Sequence, residues 1–206
     1  MSHAEPLVLI VSGPSGSGKS TLVQKILELP GTMLSVSCTT RPPRNTESAG
    51  KWYNFVSEAE FQRMAEEGEF LEYAQVFGKH WYGTPKRWLD EARARDFDLV
   101  LEIDVAGALQ VKRKLADAVA IFVVPPSRSD VERRIRERGQ DSEDEIRRRL
   151  ERSRQEMMHY GSYDFAVIND DLERAGREVQ AIALAARCRI ARREGQVREI
   201  LKSFGG

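Results

Sequence analysis

The sequence predicts an α/β fold, a doubly wound parallel sheet core flanked by helices and interrupted by two insertions. Three observations carry this expectation. Apolar runs recur at residues 7–12, 97–104, 120–124 and 164–169, and their near-continuous apolarity is that of strands buried on both faces. Helical stretches with apolar residues three or four apart separate them. A glycine-rich turn follows the first run directly, and strands alternate with helices from end to end.

The first strand, LVLIVS at residues 7–12, passes through the glycines into a helix along Leu22, Ile26 and Leu29 that stops at Pro30-Gly31. A second strand near residues 33–37 enters a loop that sets Arg41 and Arg44 around Pro42-Pro43. Ser57 with Glu60 is a capping-box signature opening a helix through Phe61 and Met64. Short strands are expected at residues 70–76 and 81–83, with Pro85 in the first turn of a helix running to about Arg95. The last helix spaces Leu172, Ala175, Val179, Ile182, Ala186 and Ile190 so that one apolar face lies on the sheet. The 206 residues make one domain: a core at about 1–36, 87–127 and 161–206, an insertion at about 37–86, and a second, arginine-rich insertion at about 128–160.

Composition narrows the function. Basic and acidic residues balance at 32 each, so no global field draws the chain to nucleic acid or to a membrane. No apolar run reaches the length of a membrane span, and the opening residues lack the basic stretch of a secretory leader. Cys38 and Cys188 stand far apart without metal-ligand spacing, as two reduced thiols of a cytoplasmic protein do, and His3, His80 and His159 do not cluster.

GPSGSGKS, from Gly13 to Ser20, fits G-x-x-x-x-G-K-[ST] with a strand before it and a helix after it, the context that motif needs. In such a loop the backbone N–H groups and the helix N-terminus surround a phosphate, and glycine is required where a side chain would block the approach. The expected triphosphate site is Gly13, Pro14, Ser15, Gly16, Ser17, Gly18, Lys19, Ser20 and Thr21. Lys19 is expected to reach the β- and γ-phosphates, and the Ser20 hydroxyl to ligate Mg2+. The bland reading, a Gly/Ser-rich turn, does not account for strand, loop and helix standing in register.

A GTPase would carry N-K-x-D, which is absent, and a motor or helicase would need more chain. A kinase needs a second anion site for its acceptor. The proline-stiffened pair Arg41 and Arg44 fits that role, because guanidinium forks match phosphate geometry. A kinase also needs cations over the transferred group and a cover against water. Between Arg128 and Arg154 there are ten arginines and no lysine, interleaved with eight acidic residues. Most of these read as surface ion pairs on a helix, Glu132 with Arg136 for example. Arg134, Arg138 and Arg149 are chosen for phosphate contact, although spacing alone does not select them. The interleaved acids argue against nucleic-acid binding.

Further blocks complete the pattern. T-T-R-x-x-R at Thr39 to Arg44 is followed by E-x-x-G-K-x-Y-x-F at Glu47 to Phe55, then by GEFLEYAQVFG, WYGT, LEIDVAGA, FVVPPS and VINDDL. Together with the phosphate loop, these resemble the guanylate kinase family in the same order over nearly the whole chain. The resemblance implies the nucleoside monophosphate kinase fold of phosphate-loop proteins, with a GMP-binding insertion and a lid. It implies ATP and GMP as substrates, Mg2+ as cofactor, and leaves dGMP open as an acceptor. Ser37, Arg41, Arg44, Tyr53, Glu72, Tyr82, Thr84, Glu102 and Asp104 would form the GMP site. A carboxylate such as Glu72 can accept from both guanine N1–H and the 2-amino group, and it would repel adenine N1. Ser37 and Thr84 can donate to O6, while Arg41, Arg44, Tyr53 and Tyr82 hold the phosphate. Asp104 is expected to orient Mg2+-bound water and the acceptor, and Arg138 and Asn169 to lie near the adenine of ATP.

The chain departs from that pattern at Trp52, where an acidic or polar residue is usual, and in FGKHWYG, one residue longer, whose extra residue a bulge is expected to absorb. The tail after about Arg193 has no counterpart, and nothing in the sequence sets an oligomeric state. Two alternatives stand beside the main reading: a kinase for another nucleoside monophosphate, and a catalytically silent guanylate-kinase-like interaction module. Such modules usually have a degraded phosphate loop, whereas Gly13, Gly18, Lys19 and Ser20 are all present.

Overall fold

Runs of five or six apolar residues have no polar face to offer water, so they gather into the centre of a sheet covered on both sides. The structure, a computed structural model, describes residues 5–43, 50, 53–76, 78–137 and 142–204. Among these residues the strands are β1 (Val8–Ser12), β2 (Thr32–Leu34), β3 (Cys38–Thr39), β4 (Asn54–Phe55), β5 (Phe70–Val76), β6 (His80–Pro85), β7 (Asp98–Glu102), β8 (Val119–Val124) and β9 (Phe165–Ile168). The helices are α1 (Lys19–Leu27), α2 (Glu58–Glu66), α3 (Arg87–Arg95), α4 (Val105–Lys114), α5 (Arg128–Glu137), α6 (Glu143–Met157), α7 (Leu172–Arg187) and α8 (Ile190–Lys202).

Five parallel strands form the main sheet in the order β2-β7-β1-β8-β9. Alternation along the buried strands divides the core. Leu9 and Val11 of β1 pack with Val100, Ile121 and Val123 against Leu22, Val23 and Ile26 of α1 and Ala175, Val179 and Ala183 of α7. Val8 and Ile10 point the other way and meet Leu99, Leu101, Ala120, Ala108 and Val111. Strand order puts β1 at the centre with β7 and β8 beside it, so the loops leaving their carboxyl ends converge, which is where open α/β sheets bind ligands.

A second sheet, in the order β4-β3-β6-β5, is built from residues 38–85 around Cys38, Phe61, Met64 and Phe70. Helices α5 and α6 pack on each other through Val131, Ile135, Ile146 and Leu150. Both cysteines are free thiols, Cys38 buried and Cys188 exposed.

Several expectations are corrected. Pro85 ends β6 instead of opening a helix, because its backbone pairs opposite Phe70; α3 starts two residues later. The second strand ends at Leu34, and β7 spans Asp98–Glu102 within the longer run expected. The final helix does not reach Ile190: α7 ends at Arg187, α8 begins at Ile190, and Ile190 is 79% exposed. The apolar period continued in the sequence, but the sheet beneath it ended. Ser57 does cap α2 by accepting from Glu60 N, while the Glu60 carboxylate turns to Arg63. The added residue in FGKHWYG is not absorbed beside Tyr82. Pairing is regular from Glu72↔Thr84 to Val76↔His80, so the addition falls in the turn, and the register shift lies between Phe70 and Glu72.

Candidate active site

The phosphate loop turns between β1 and α1 because Gly18 adopts φ 90°, a left-handed conformation that caps the helix. Its carbonyls are held from outside. Asn169 Nδ2 donates to Ser17 O at 2.8 Å, and Arg134 Nη1 donates to Gly16 O at 3.1 Å and Ser17 O at 3.3 Å. Arg134 Nη2 also reaches Asn169 O at 3.3 Å. Lys19 Nζ donates to Gly13 O at 2.8 Å and Pro14 O at 3.0 Å, which keeps the ammonium against the loop's first carbonyls. Helix α6 also touches the loop, where the Ser153 hydroxyl donates to Ser15 O at 3.4 Å.

The end of β7 faces α1. Ser20 Oγ donates to Glu102 Oε1 at 2.5 Å, and two residues on Asp104 caps α4 by accepting from Gly107 N at 2.8 Å. The resemblance implied Glu102 for the acceptor nucleotide; in the structure Glu102 lines the shared cavity and accepts from Ser20, the expected metal ligand. A hydroxyl and one or two carboxylates beside a phosphate site suit Mg2+, which keeps waters and takes few protein ligands. Ser20 and Glu102 therefore fit the ion directly, with Asp104 close by on the same wall.

The second sheet supplies the opposite end. Glu72 on β5 is 4% exposed, and its Oε1 accepts from Thr84 Oγ1 at 2.6 Å; Ser37 Oγ lies 3.2 Å from the same Thr84 oxygen. Burial pushes the Glu72 carboxyl up to about 7, and the Asp104 charge adds to the shift, while the Thr84 hydrogen bonds and Lys114 oppose it. Thr84 has a single hydroxyl proton. With that proton given to Glu72, the 3.2 Å contact is donated by the Ser37 hydroxyl to Thr84 Oγ1, so Ser37 donates to a ligand carbonyl only by turning away from Thr84. Val36, beside Ser37, is anchored by Trp88 Nε1 at 3.0 Å and Asn54 Nδ2 at 3.2 Å. Arg41 Nε donates to Tyr82 OH at 3.1 Å, its guanidinium carbon lies 5.7 Å from the Tyr53 ring, and the Tyr53 and Tyr82 rings meet edge to face at 5.6 Å.

One cavity of about 760 Å³ joins these groups, with Lys19, Ser20 and Thr21 along one side, Glu102 and Asp104 in the middle, and Ser37, Tyr53, Glu72 and Tyr82 along the other. Of the expected residues, Arg134 and Asn169 lie behind the phosphate loop, and Arg149 is half-buried on α6. Arg44 and Arg138 lie outside the described residues, as does Trp52. Sequence reasoning missed Gln24, Ser35 and Ile103 on the cavity wall, and Arg152, which pairs with Asp104. Gln24 was within reach, since it stands one helical turn beyond Ser20. No local signal separates Arg152 from its neighbouring arginines.

Fold and cavity together define a phosphate-loop kinase of the nucleotide-phosphorylating class, with the start of the phosphate-loop helix on one wall and the buried Glu72 carboxyl on the other. Comparison with known proteins narrows the class. The guanylate kinase family model matches residues 5–186. The guanylate kinase of Myxococcus xanthus is 49% identical over 185 residues, covering 89% of this chain and 88% of that one. That of Escherichia coli K12 is 42% identical over 194 residues, 93% of each chain. A crystal structure of guanylate kinase from Anaplasma phagocytophilum superposes with a TM-score of 0.79 at 33% identity, covering 96% of this chain and 94% of that one. The chain belongs to the guanylate kinase family, and with it to the transferases that phosphorylate a nucleoside monophosphate.

Proposed function

We propose that this protein transfers the γ-phosphoryl group of ATP to GMP, giving ADP and GDP, with Mg2+ bound by Ser20 and Glu102. The carrying observation is the single cavity that runs from Lys19 and Ser20 to Glu72 and Ser37. Donor and acceptor can meet there without leaving the protein.

Guanine enters with its N1–H and 2-amino group toward the Glu72 carboxylate, and O6 accepts from Ser37. Arg41, with Tyr53 and Tyr82, takes the acceptor phosphate, and Arg44 joins them from the same loop. Gly13, Pro14, Ser15, Gly16, Ser17, Gly18 and Thr21 enclose the ATP phosphates with their backbone. Lys19 spans the β- and γ-phosphates, and Arg138 and Arg149 add charge from the second insertion. Arg134 and Asn169 hold the loop in shape through its carbonyls. Bound Mg2+ would neutralise part of the charge on the β- and γ-oxygens. The acceptor oxygen is already ionised, so no side chain serves as a strong base. Catalysis is positioning plus charge neutralisation by Lys19 and the arginines, with Asp104 fixing the acceptor side.

Balanced charge supports small-molecule substrates over nucleic acid, and free thiols at Cys38 and Cys188 support a cytoplasmic setting. Among the described residues, no helix is long and apolar enough to cross a membrane. The test is ADP release with ATP and Mg2+ against GMP, dGMP, AMP, UMP and CMP in turn. Turnover confined to the guanine nucleotides is the expected result. Equal or faster turnover of AMP or UMP would overturn the assignment, and so would turnover undiminished by a Mg2+ chelator.

A further inference from the structure

We propose that Arg152 is a positioning residue for phosphoryl transfer, holding Asp104 from the arginine-rich insertion so that the acceptor wall is complete only with α6 seated on the core. The proposal rests on the reading of the cavity as a GMP site.

Among the described residues, several arginines of the insertion pair within it. Arg133 pairs with Asp130 and Glu137, Arg136 with Glu132 and Glu143, and Arg154 with Glu151. Arg152 reaches out of its helix. Its Nη2 donates to Asp104 Oδ2 at 3.2 Å, while its Nε donates to Glu156 Oε1 at 2.8 Å. Glu156, one turn along the same helix, thereby pre-sets the guanidinium toward the core. The other Asp104 oxygen is already engaged, since Oδ1 accepts from Gly107 N at 2.8 Å. One oxygen is thus fixed by the core and the other by the insertion.

The pair is half-buried, with side chains 29% and 27% exposed for Arg152 and Asp104 and 13% for Glu156, so solvent screens it less than a surface pair. Ser153, the next residue, donates to Ser15 O in the phosphate loop. Adjacent residues of one helix therefore touch the donor loop and the acceptor wall. A carboxylate lining the cavity beside Lys19 and Ser20 has two oxygens to aim, and a guanidinium on one of them fixes its rotation.

The experiment measures kcat, both KM values and the thermal midpoint for Arg152→Gln, Arg152→Lys, Asp104→Asn and the Arg152→Gln/Asp104→Asn double variant. Loss of the contact should lower kcat of Arg152→Gln by about 10- to 100-fold, as small misplacements of reacting groups do. The ATP KM and the midpoint should stay near those of the parent, and Arg152→Lys should recover most of the loss. In the Asp104→Asn background, Arg152→Gln should cost less than about threefold, because coupled residues are not additive. Unchanged kcat in Arg152→Gln overturns the proposal. A full loss in both backgrounds also overturns it, since Arg152 would then act on a phosphate directly. Normal turnover of Asp104→Asn would instead strike the role of Asp104 in the proposed site, so the two failures are told apart. Where Arg152→Gln lowers the midpoint, Arg152→Met takes its place as the neutral variant.

Discussion

Thr84 and Glu72 stand opposite each other in the β5–β6 ladder, and their side chains meet in a buried hydrogen bond of 2.6 Å. The carboxylate has no cationic partner at hydrogen-bond distance among the described residues, so its charge is held at a cost. Glu72→Gln removes the charge and keeps the shape. GMP turnover should fall by about 100-fold or more, because a guanine donor then faces an amide N–H. The ATP KM should move less than about twofold. Wild-type GMP turnover in this variant would remove Glu72 from guanine recognition.

The same substitution should stabilise the ligand-free protein at alkaline pH. The folded-state value of about 7 lies above the unfolded carboxyl value, so the folded state binds the proton more tightly. That contribution is fully present below the unfolded value and is lost as pH rises through about 7. At pH 8 the melting midpoint of Glu72→Gln should exceed the parent's by roughly 2 °C or more, with the gap closing by pH 5. Equal midpoints at both pH values would contradict the raised carboxyl.

Only the ionised carboxylate accepts two guanine donors, so GMP binding must displace the proton below about pH 7. The GMP KM should climb by up to about tenfold per pH unit on the acid side, since one proton competes with one ligand. The GMP phosphate titrates nearby, and Glu72→Gln serves as the reference that lacks the carboxyl step. A parent profile parallel to that of the variant would count against this linkage.

Gly107 lies in α4, where alanine usually stabilises a helix by up to about 1 kcal/mol. Here a Cβ would stand 2.5 Å from Glu72 Oε2 and 2.9 Å from its Cδ. Gly107→Ala must therefore push the carboxylate off its position. The GMP KM should rise by about tenfold or more while the ATP KM holds; unchanged GMP kinetics would mean that Glu72 has room to move.

Lys19→Ala should lower kcat by about 1,000-fold with the fold intact, since charge stabilisation at the transferred group is the largest single contribution. Tyr82→Phe removes the acceptor of the Arg41 Nε hydrogen bond together with the hydroxyl offered to the acceptor phosphate, and the GMP KM should rise about 10- to 100-fold, as loss of a charged hydrogen bond predicts. ADP release at varied GMP measures both, and a Lys19→Ala protein that still makes GDP at the parent rate would refute the loop assignment.

What was legible in the sequence was whatever depends on neighbours along the chain. The phosphate loop is one turn between a strand and a helix, and its glycine spacing records the backbone shape directly. Likewise Ser37, Arg41 and Tyr53 fall within one insertion whose blocks occur in a recognisable order. Periodicity failed where tertiary support ended. Ile190 continues the spacing of α7, yet it begins a separate helix and is exposed, because no sheet lies under it.

By itself, the sequence determined the alternation of strands and helices, the phosphate-loop motif and the residue types that gather around the cavity, since propensity, turn chemistry and motif spacing are local. Only the tertiary structure decided that Ser20 meets Glu102, that Gly107 makes room for Glu72, and that Arg152 among many arginines reaches Asp104. These contacts join residues tens of positions apart, and which face of α4, α6 or β5 meets which neighbour is set by packing of the whole core, not by any stretch read alone.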